Sequence, residues 1–212
     1  MRQGLAGCLL ALSCLMLPAC QPSQADEMQR FRAWRTGDNA TGSTRYQQLL
    51  DTHGVAGVMP LHVLLRSSRR WRSCSASEFS LPPPHRQAAI VPTLRVVDRL
   101  QQLGIVRADH ARSGYRDDAL NTCSGGSPRS RHVLNNALDF DLPADGDRVA
   151  QLCRFWRRQG PSLDMGLGFY TPTRIHIDTS GFRTWGRDHH RGTSLCVTGA
   201  QSDRRSSFTH TP

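Results

Sequence analysis

Two stretches of the chain carry a clear helical rhythm. In "PTLRVVDRLQQLG" the apolar residues Leu94, Val97, Leu100 and Leu103 recur at three-residue steps between Pro92 and Gly104, a spacing that predicts an amphipathic helix. "DGDRVAQLCRFWRRQG" predicts a second, with Val149, Leu152, Cys153 and Trp156 on one face. Its aspartates stand at the start and its arginines before Gly160 at the end, the arrangement that suits a helix dipole. A shorter helix is expected in "STRYQQLLDTHG", stopped by Gly54. Elsewhere the period shortens to two: "HARSGYR", "NALDFDL", "GLGFYTP" and "RIHIDTS" read as strands. "SSRRWRSC" reads as a basic loop, and "LPPPHR" as a rigid extended connector with no helical potential. From Arg187 onward the chain is polar, and a loose tail held only at Cys196 is expected. The fold class is therefore α+β, a small, mostly antiparallel sheet with helices packed on one side.

Composition narrows the chemistry. At 212 residues the chain accommodates one domain with trimmings. All 27 basic residues are arginine, which excludes Schiff-base chemistry, a pyridoxal-phosphate site and a P-loop, since each needs a lysine amine. Glutamate occurs only at Glu27 and Glu78, so a carboxylate acting late in the chain must be an aspartate. The net charge of +10 implies attraction to something anionic. Charge alone does not choose among nucleic acid, acidic phospholipid and bacterial wall polymers.

The N-terminus reads as an address. Arg2 precedes the apolar run "GLAGCLLALSCLMLPAC", which resembles a secretory signal. Its end, "LPAC", resembles a bacterial lipobox, with Leu17, Ala19 and an acylated Cys20. Cleavage after Ala25 is the competing reading and would release a soluble protein. The expected organisation is a signal with lipobox over 1–20, a polar extension over 21–59, a domain over 60–187 and a polar tail over 188–212. Gln21 follows the cysteine, and by resemblance to Gram-negative lipoproteins the expected location is the periplasmic side of the outer membrane. Four cysteines follow the signal: Cys74, Cys123, Cys153 and Cys196. An even count in an oxidising compartment favours two disulfides, and all three pairings stay open.

Candidate ligands stand out next. In "RIHIDTS" Ile175 and Ile177 share one strand face, leaving Arg174, His176 and Asp178 on the other. His132 and Asp139 lie seven residues apart in "SRHVLNNALDFDL", a span of roughly 23 Å when extended. They can meet only if the chain turns back, and Asn135–Asn136 tolerate the left-handed backbone of such a turn. His132, Asp139 and His176 then offer two imidazoles and one carboxylate, a usual donor set for catalytic zinc with one position open.

In order along the chain come "SASEF", "SGYR", Asn121, "GGSP", Ser130-x-His132 with Ala137 and Asp139, "GLGFY", "HIDT" and Trp185. This series resembles the zinc D-Ala-D-Ala carboxypeptidase family, peptidoglycan metallopeptidases related to lysostaphin and the hedgehog signalling domain. The resemblance covers roughly residues 60–186. It implies His132, Asp139 and His176 as zinc ligands, and Arg116 as the residue that stabilises an oxyanion or holds a substrate carboxylate. Many relatives carry an acidic general base three residues before the second histidine, where this chain has Thr173. Asp178 is the remaining candidate, either as the base or as the residue that orients His176. The implied activity is zinc-dependent hydrolysis of peptide bonds in peptidoglycan stems or crosslinks. The implied partner is the wall, with the membrane reached only through Cys20 and no nucleic acid involved. Two alternatives are a zinc-containing wall-binding module without catalysis, and an exported basic protein held by disulfides without metal.

Overall fold

The computed structural model describes residues 24–143 and 147–199. The signal, the lipobox cysteine Cys20 and the last part of the tail lie outside the described residues. Two N-terminal helices, α1 (Gln24–Trp34) and α2 (Gly37–Thr52), are followed by single turns α3 (Leu61–Leu64) and α4 (Pro84–Gln87). Then come α5 (Val91–Gln102), β1 (Ala111–Ser113), α6 (Asp118–Cys123), β2 (Ala137–Asp141) and α7 (Arg148–Gln159). The chain continues through β3 (Gly166–Thr171), β4 (Arg174–Asp178) and β5 (Arg183–Trp185). The class is α+β, as the patterning predicts.

The five strands lie in the order β1-β2-β4-β3-β5. Every pairing is antiparallel except β3 with β5. Register sorts the two faces. Leu138, Ile177 and Leu167 form one cross-strand row, and Phe140, Ile175 and Phe169 the next, all buried. With a side-chain period of two, the opposite face must carry Asp139 and His176. The helical rhythms hold except at one end. Leu94, Val97 and Leu100 of α5 and Leu152, Cys153 and Trp156 of α7 are buried in the same core, and Val149 is half-buried against it. Leu103, just past the end of α5, is 56% exposed.

Two stretches differ from the sequence expectation. "LPPPHR" does make a helical turn, α4, because Pro84 occupies its first position, where a proline costs no hydrogen bond. The N-terminal extension carries two helices where one was expected, and both enter the core. Phe31, Tyr46 and Leu50 are buried, and Phe31 meets Phe79 edge-on with ring centroids 5.2 Å apart. Met28, Phe31 and Trp34 are a three-residue stripe hidden among charges, which is why the segment reads as merely polar. Ion pairs fasten the same contact: Glu27 holds Arg66 at 2.6 Å and Arg30 holds Glu78 at 2.6 Å.

The four cysteines pair as Cys74–Cys123 and Cys153–Cys196. The first joins the basic loop to the end of α6. The second fastens the polar C-terminal stretch onto α7. The expected looseness apart from Cys196 is not found in the described part of that stretch. Gly186 N donates to the His190 carbonyl, the buried Ser194 hydroxyl lies 2.6 Å from Thr184 Oγ1, and Arg157 donates to the Cys196 carbonyl.

Phe31→Ala is expected to cost about 3–5 kcal/mol, the usual loss for a buried phenylalanine, measured by urea unfolding. Stability equal to the parent would mean that α1 contributes nothing to the core.

Candidate metal centre

One row of the sheet builds the site. Ser113 of β1 pairs with Asp139 of β2, Asp139 with His176 of β4, His176 with Gly168 of β3, and Gly168 with Trp185 of β5. In an antiparallel pair directly opposed residues have Cβ atoms about 4.5–5.5 Å apart, so Asp139 and His176 are brought together by register alone. Gly168 leaves room for the indole of Trp185, which a Cβ there would strike. That ring lies 5.6 Å from the His176 ring, centroid to centroid. Gly166, two pairs along and so on the same face, makes the same room for the carboxylate of Asp178.

His132 reaches the row from outside the sheet. Backbone bonds from Asn135 N to His132 O and from Asn136 N to Arg131 O close a tight turn. Asn135 takes the left-handed conformation at φ 54°, as its residue type predicts. Its buried side-chain amide does more than a glycine could: it donates to the carbonyls of Arg86 at 2.9 Å and Gln87 at 3.2 Å, and to the Tyr46 hydroxyl of α2 at 3.4 Å.

The three predicted ligands converge. His132 Nε2 lies 3.1 Å from Asp139 Oδ1 and 3.2 Å from His176 Nδ1, and His176 Nδ1 lies 3.0 Å from Asp139 Oδ1. All three residues are buried. Among the described residues they are the one His/Cys/Asp/Glu group whose donor atoms could hold a metal together. Their outer partners fix the donor atoms. His132 Nδ1 donates to the Gly114 carbonyl at 2.7 Å, leaving Nε2 inward. His176 Nε2 donates to Asp178 Oδ2 at 3.1 Å, leaving Nδ1 inward. Backing of this kind is what metal-binding histidines require, so the donor set fits a zinc ion.

Arg116 stands beside the ligands, with one guanidinium nitrogen 2.6 Å from Asp139 Oδ2. Its Nε is buried without a protein partner. Tyr170 donates to Asp139 Oδ1 at 3.3 Å. Burial pushes the Tyr170 hydroxyl strongly up, and Asp139 adds to the shift, so it stays a donor. Burial, then the charge of Arg116, pulls His132 down to about 4 and keeps it neutral. Burial works against charge on His176 too, but its hydrogen bonds to the carboxylates of Asp139 and Asp178 outweigh it and raise its pKa. For Asp139, burial is likewise overcome, by His132, His176 and Arg116, and its carboxyl is held well below the usual range.

Asp178 has no exposed surface and a full set of partners. Ser180 N and Arg183 engage Oδ1, while His176 and Arg183 engage Oδ2. Burial raises its pKa, but His176 and Arg183 bring it down to about 2. Thr173 sits exposed in the β3–β4 turn. Sequence reading missed Arg183; its signal is weak, an arginine five residues after the aspartate it clamps. It also missed the Gly114 carbonyl, which no residue type could announce.

The ligands open onto a cleft of about 780 Å³, with Tyr170, Trp185 and His189 on its wall.

A family model described as Peptidase M15 matches residues 72–178, a stretch that contains all three candidate ligands. No curated protein and no solved structure matches the chain.

His132→Ala is expected to lower zinc affinity more than about 100-fold, read by metal analysis after dialysis; unchanged zinc content would remove His132 from the ligand set. Because the pKa of His176 is raised, the metal-free site holds a proton there that a metal must displace. Zinc affinity should therefore rise with pH until the raised pKa is passed, and then level off. Calorimetry in buffers of different ionisation heat from about pH 6 to about pH 9 would show proton release falling over the same range.

Proposed function

Since the chain belongs to the Peptidase M15 family, the zinc D-Ala-D-Ala carboxypeptidases, we propose that it is a zinc-dependent peptidase acting on peptide bonds of bacterial peptidoglycan, in stems or crosslinks. The convergence of His132 Nε2, Asp139 Oδ1 and His176 Nδ1 within 3.2 Å carries this reading. In it, those three atoms hold the zinc, which when bound supplies Lewis acidity and lowers the pKa of a coordinated water.

The chain's own residues do the rest. Arg116 keeps Asp139 charged and oriented through Oδ2. Its guanidinium lines the cleft beside the ligands, where a charged, preorganised donor to the polarised carbonyl oxygen of a substrate contributes most. The Tyr170 hydroxyl, held protonated, donates to Asp139 Oδ1 and helps hold that carboxylate in place. Of the two roles open to Asp178, the geometry favours orienting His176. A base must reach the proton it takes, whereas this carboxylate is sealed behind the imidazole and clamped by Arg183.

Export, acylation at Cys20 and an outer-membrane location belong to the same proposal, resting on the lipobox resemblance and on two disulfides that suit an oxidising compartment.

Purified peptidoglycan incubated with the disulfide-bonded protein should yield new peptide ends by mass spectrometry, and a chelator should abolish them. Zinc bound at one per chain without any cleavage would favour the wall-binding module instead. Asp178→Asn should weaken zinc binding about 10–100-fold yet recover kcat at saturating zinc. A kcat that stays collapsed at saturating zinc would make Asp178 the base. Arg116→Lys should keep the metal and lose kcat about 100-fold; unchanged kcat would place Arg116 outside catalysis.

A further inference from the structure

Among the described residues the cleft wall is lined by seven arginines and one carboxylate, Asp139. Four of the arginines are tied to acids. Arg69 and Arg174 both face Asp141, Arg116 holds Asp139, and Arg183 holds Asp178. The other three are Arg70, Arg129 and Arg131. Among the described residues none of these three side chains has an acidic partner.

They lie on two segments that border the cleft. Arg70 lies on the basic loop after α3, and Arg129 and Arg131 lie on the segment between α6 and β2. The two segments are tied together: Ser68 Oγ lies 2.9 Å from Ser124 Oγ, and Cys74 is bonded to Cys123. The second segment is braced from within, since the buried Asn121 donates through Nδ2 to Ser127 O at 2.9 Å and receives Gly126 N on its own carbonyl at 2.8 Å. Arg131 directly precedes the ligand His132. The charges are thus mounted on covalently fixed backbone beside the reactive centre, not scattered on a mobile surface.

We propose that Arg70, Arg129 and Arg131 form a carboxylate-binding subsite that selects acidic peptides, gripping side carboxylates of the substrate away from the scissile bond. The inference rests on the peptidase reading and adds its substrate class. Guanidinium forks match carboxylates in a bidentate way that an ammonium cannot. A cleft walled by one sign of charge concentrates ligands of the other sign. The three arginines without acidic partners among the described residues offer that grip, and Asp139 is the only carboxylate those residues place on the cleft wall to oppose an anionic peptide. A stem peptide of the wall supplies such groups in its D-glutamate and diaminopimelate residues.

The test uses two forms of one peptide, L-Ala-γ-D-Glu-diaminopimelate-D-Ala-D-Ala, with its side carboxylates free or both amidated. Binding is measured by calorimetry on chelator-treated protein, and hydrolysis is measured on the zinc-loaded protein. The free form should bind about tenfold more tightly than the amidated one, with the difference shrinking in high salt. R70A/R129A/R131A should bring the ratio of the two affinities close to one. Equal affinity of the parent for both forms, or a ratio unchanged in the triple variant, would overturn the subsite. Binding that discriminates without any hydrolysis would support the subsite while rejecting the peptidase reading. Hydrolysis of both forms at equal kcat/KM with equal affinity would do the reverse.

Discussion

The register between β2 and β4 is the constraint on which the site depends. Opposing Asp139 to His176 also opposes Leu138 to Ile177 and Phe140 to Ile175, so the same pairing that fills the core fills the metal site. A slip of one residue would turn the isoleucines outward and bury the histidine and aspartates in the core. The hydrophobic effect therefore guards the ligand geometry. The apolar rows cannot be satisfied in any other register, and the ligands have only to lie on the strands' other face.

That face concentrates charge that would be costly if left unpaired. Asp139 is 5% exposed and Asp178 is fully buried, and a buried carboxylate must be neutralised or thoroughly hydrogen-bonded. Each has a dedicated arginine, Arg116 at 2.6 Å and Arg183 at 2.7 Å, and each has a histidine. The pattern is a chain, Arg183–Asp178–His176–Asp139–Arg116, with His132 joining at Asp139. Arg116 keeps Asp139 ionised, while Asp139 and Asp178 favour a proton on His176 that a metal must displace. Asp178, buried and clamped by Arg183, acts on the site by orienting His176.

The remaining ligand depends on distant parts of the chain. His132 sits on a turn whose left-handed residue, Asn135, is held by carbonyls of α4 and by Tyr46 of α2. The N-terminal helices therefore belong to the site in an energetic sense. They pack through Phe31 and Tyr46, and their ion pairs from Glu27 and Arg30 steady the segment that leads into the basic loop. The Cys74–Cys123 bond then joins that loop to the segment before His132.

Much of this was legible in the sequence. Strand alternation placed Asp139 and His176 on polar faces, the Asn135–Asn136 pair announced the turn, and the helix stripes of α5 and α7 gave the core. These are local signals, written in periods of two and 3.6 residues and in the backbone preferences of single residues. The α1 stripe was obscured because its three apolar residues stand among charges, and α4 because a proline run masks a proline that starts a helix. Strand order, the pairing of cysteines, Arg183 as the clamp of Asp178, and three cleft-lining arginines without acidic partners among the described residues were decided only by tertiary structure. Each is a contact between residues far apart in the chain or on different elements. Such contacts are selected by the burial of the whole core, and no local period encodes them.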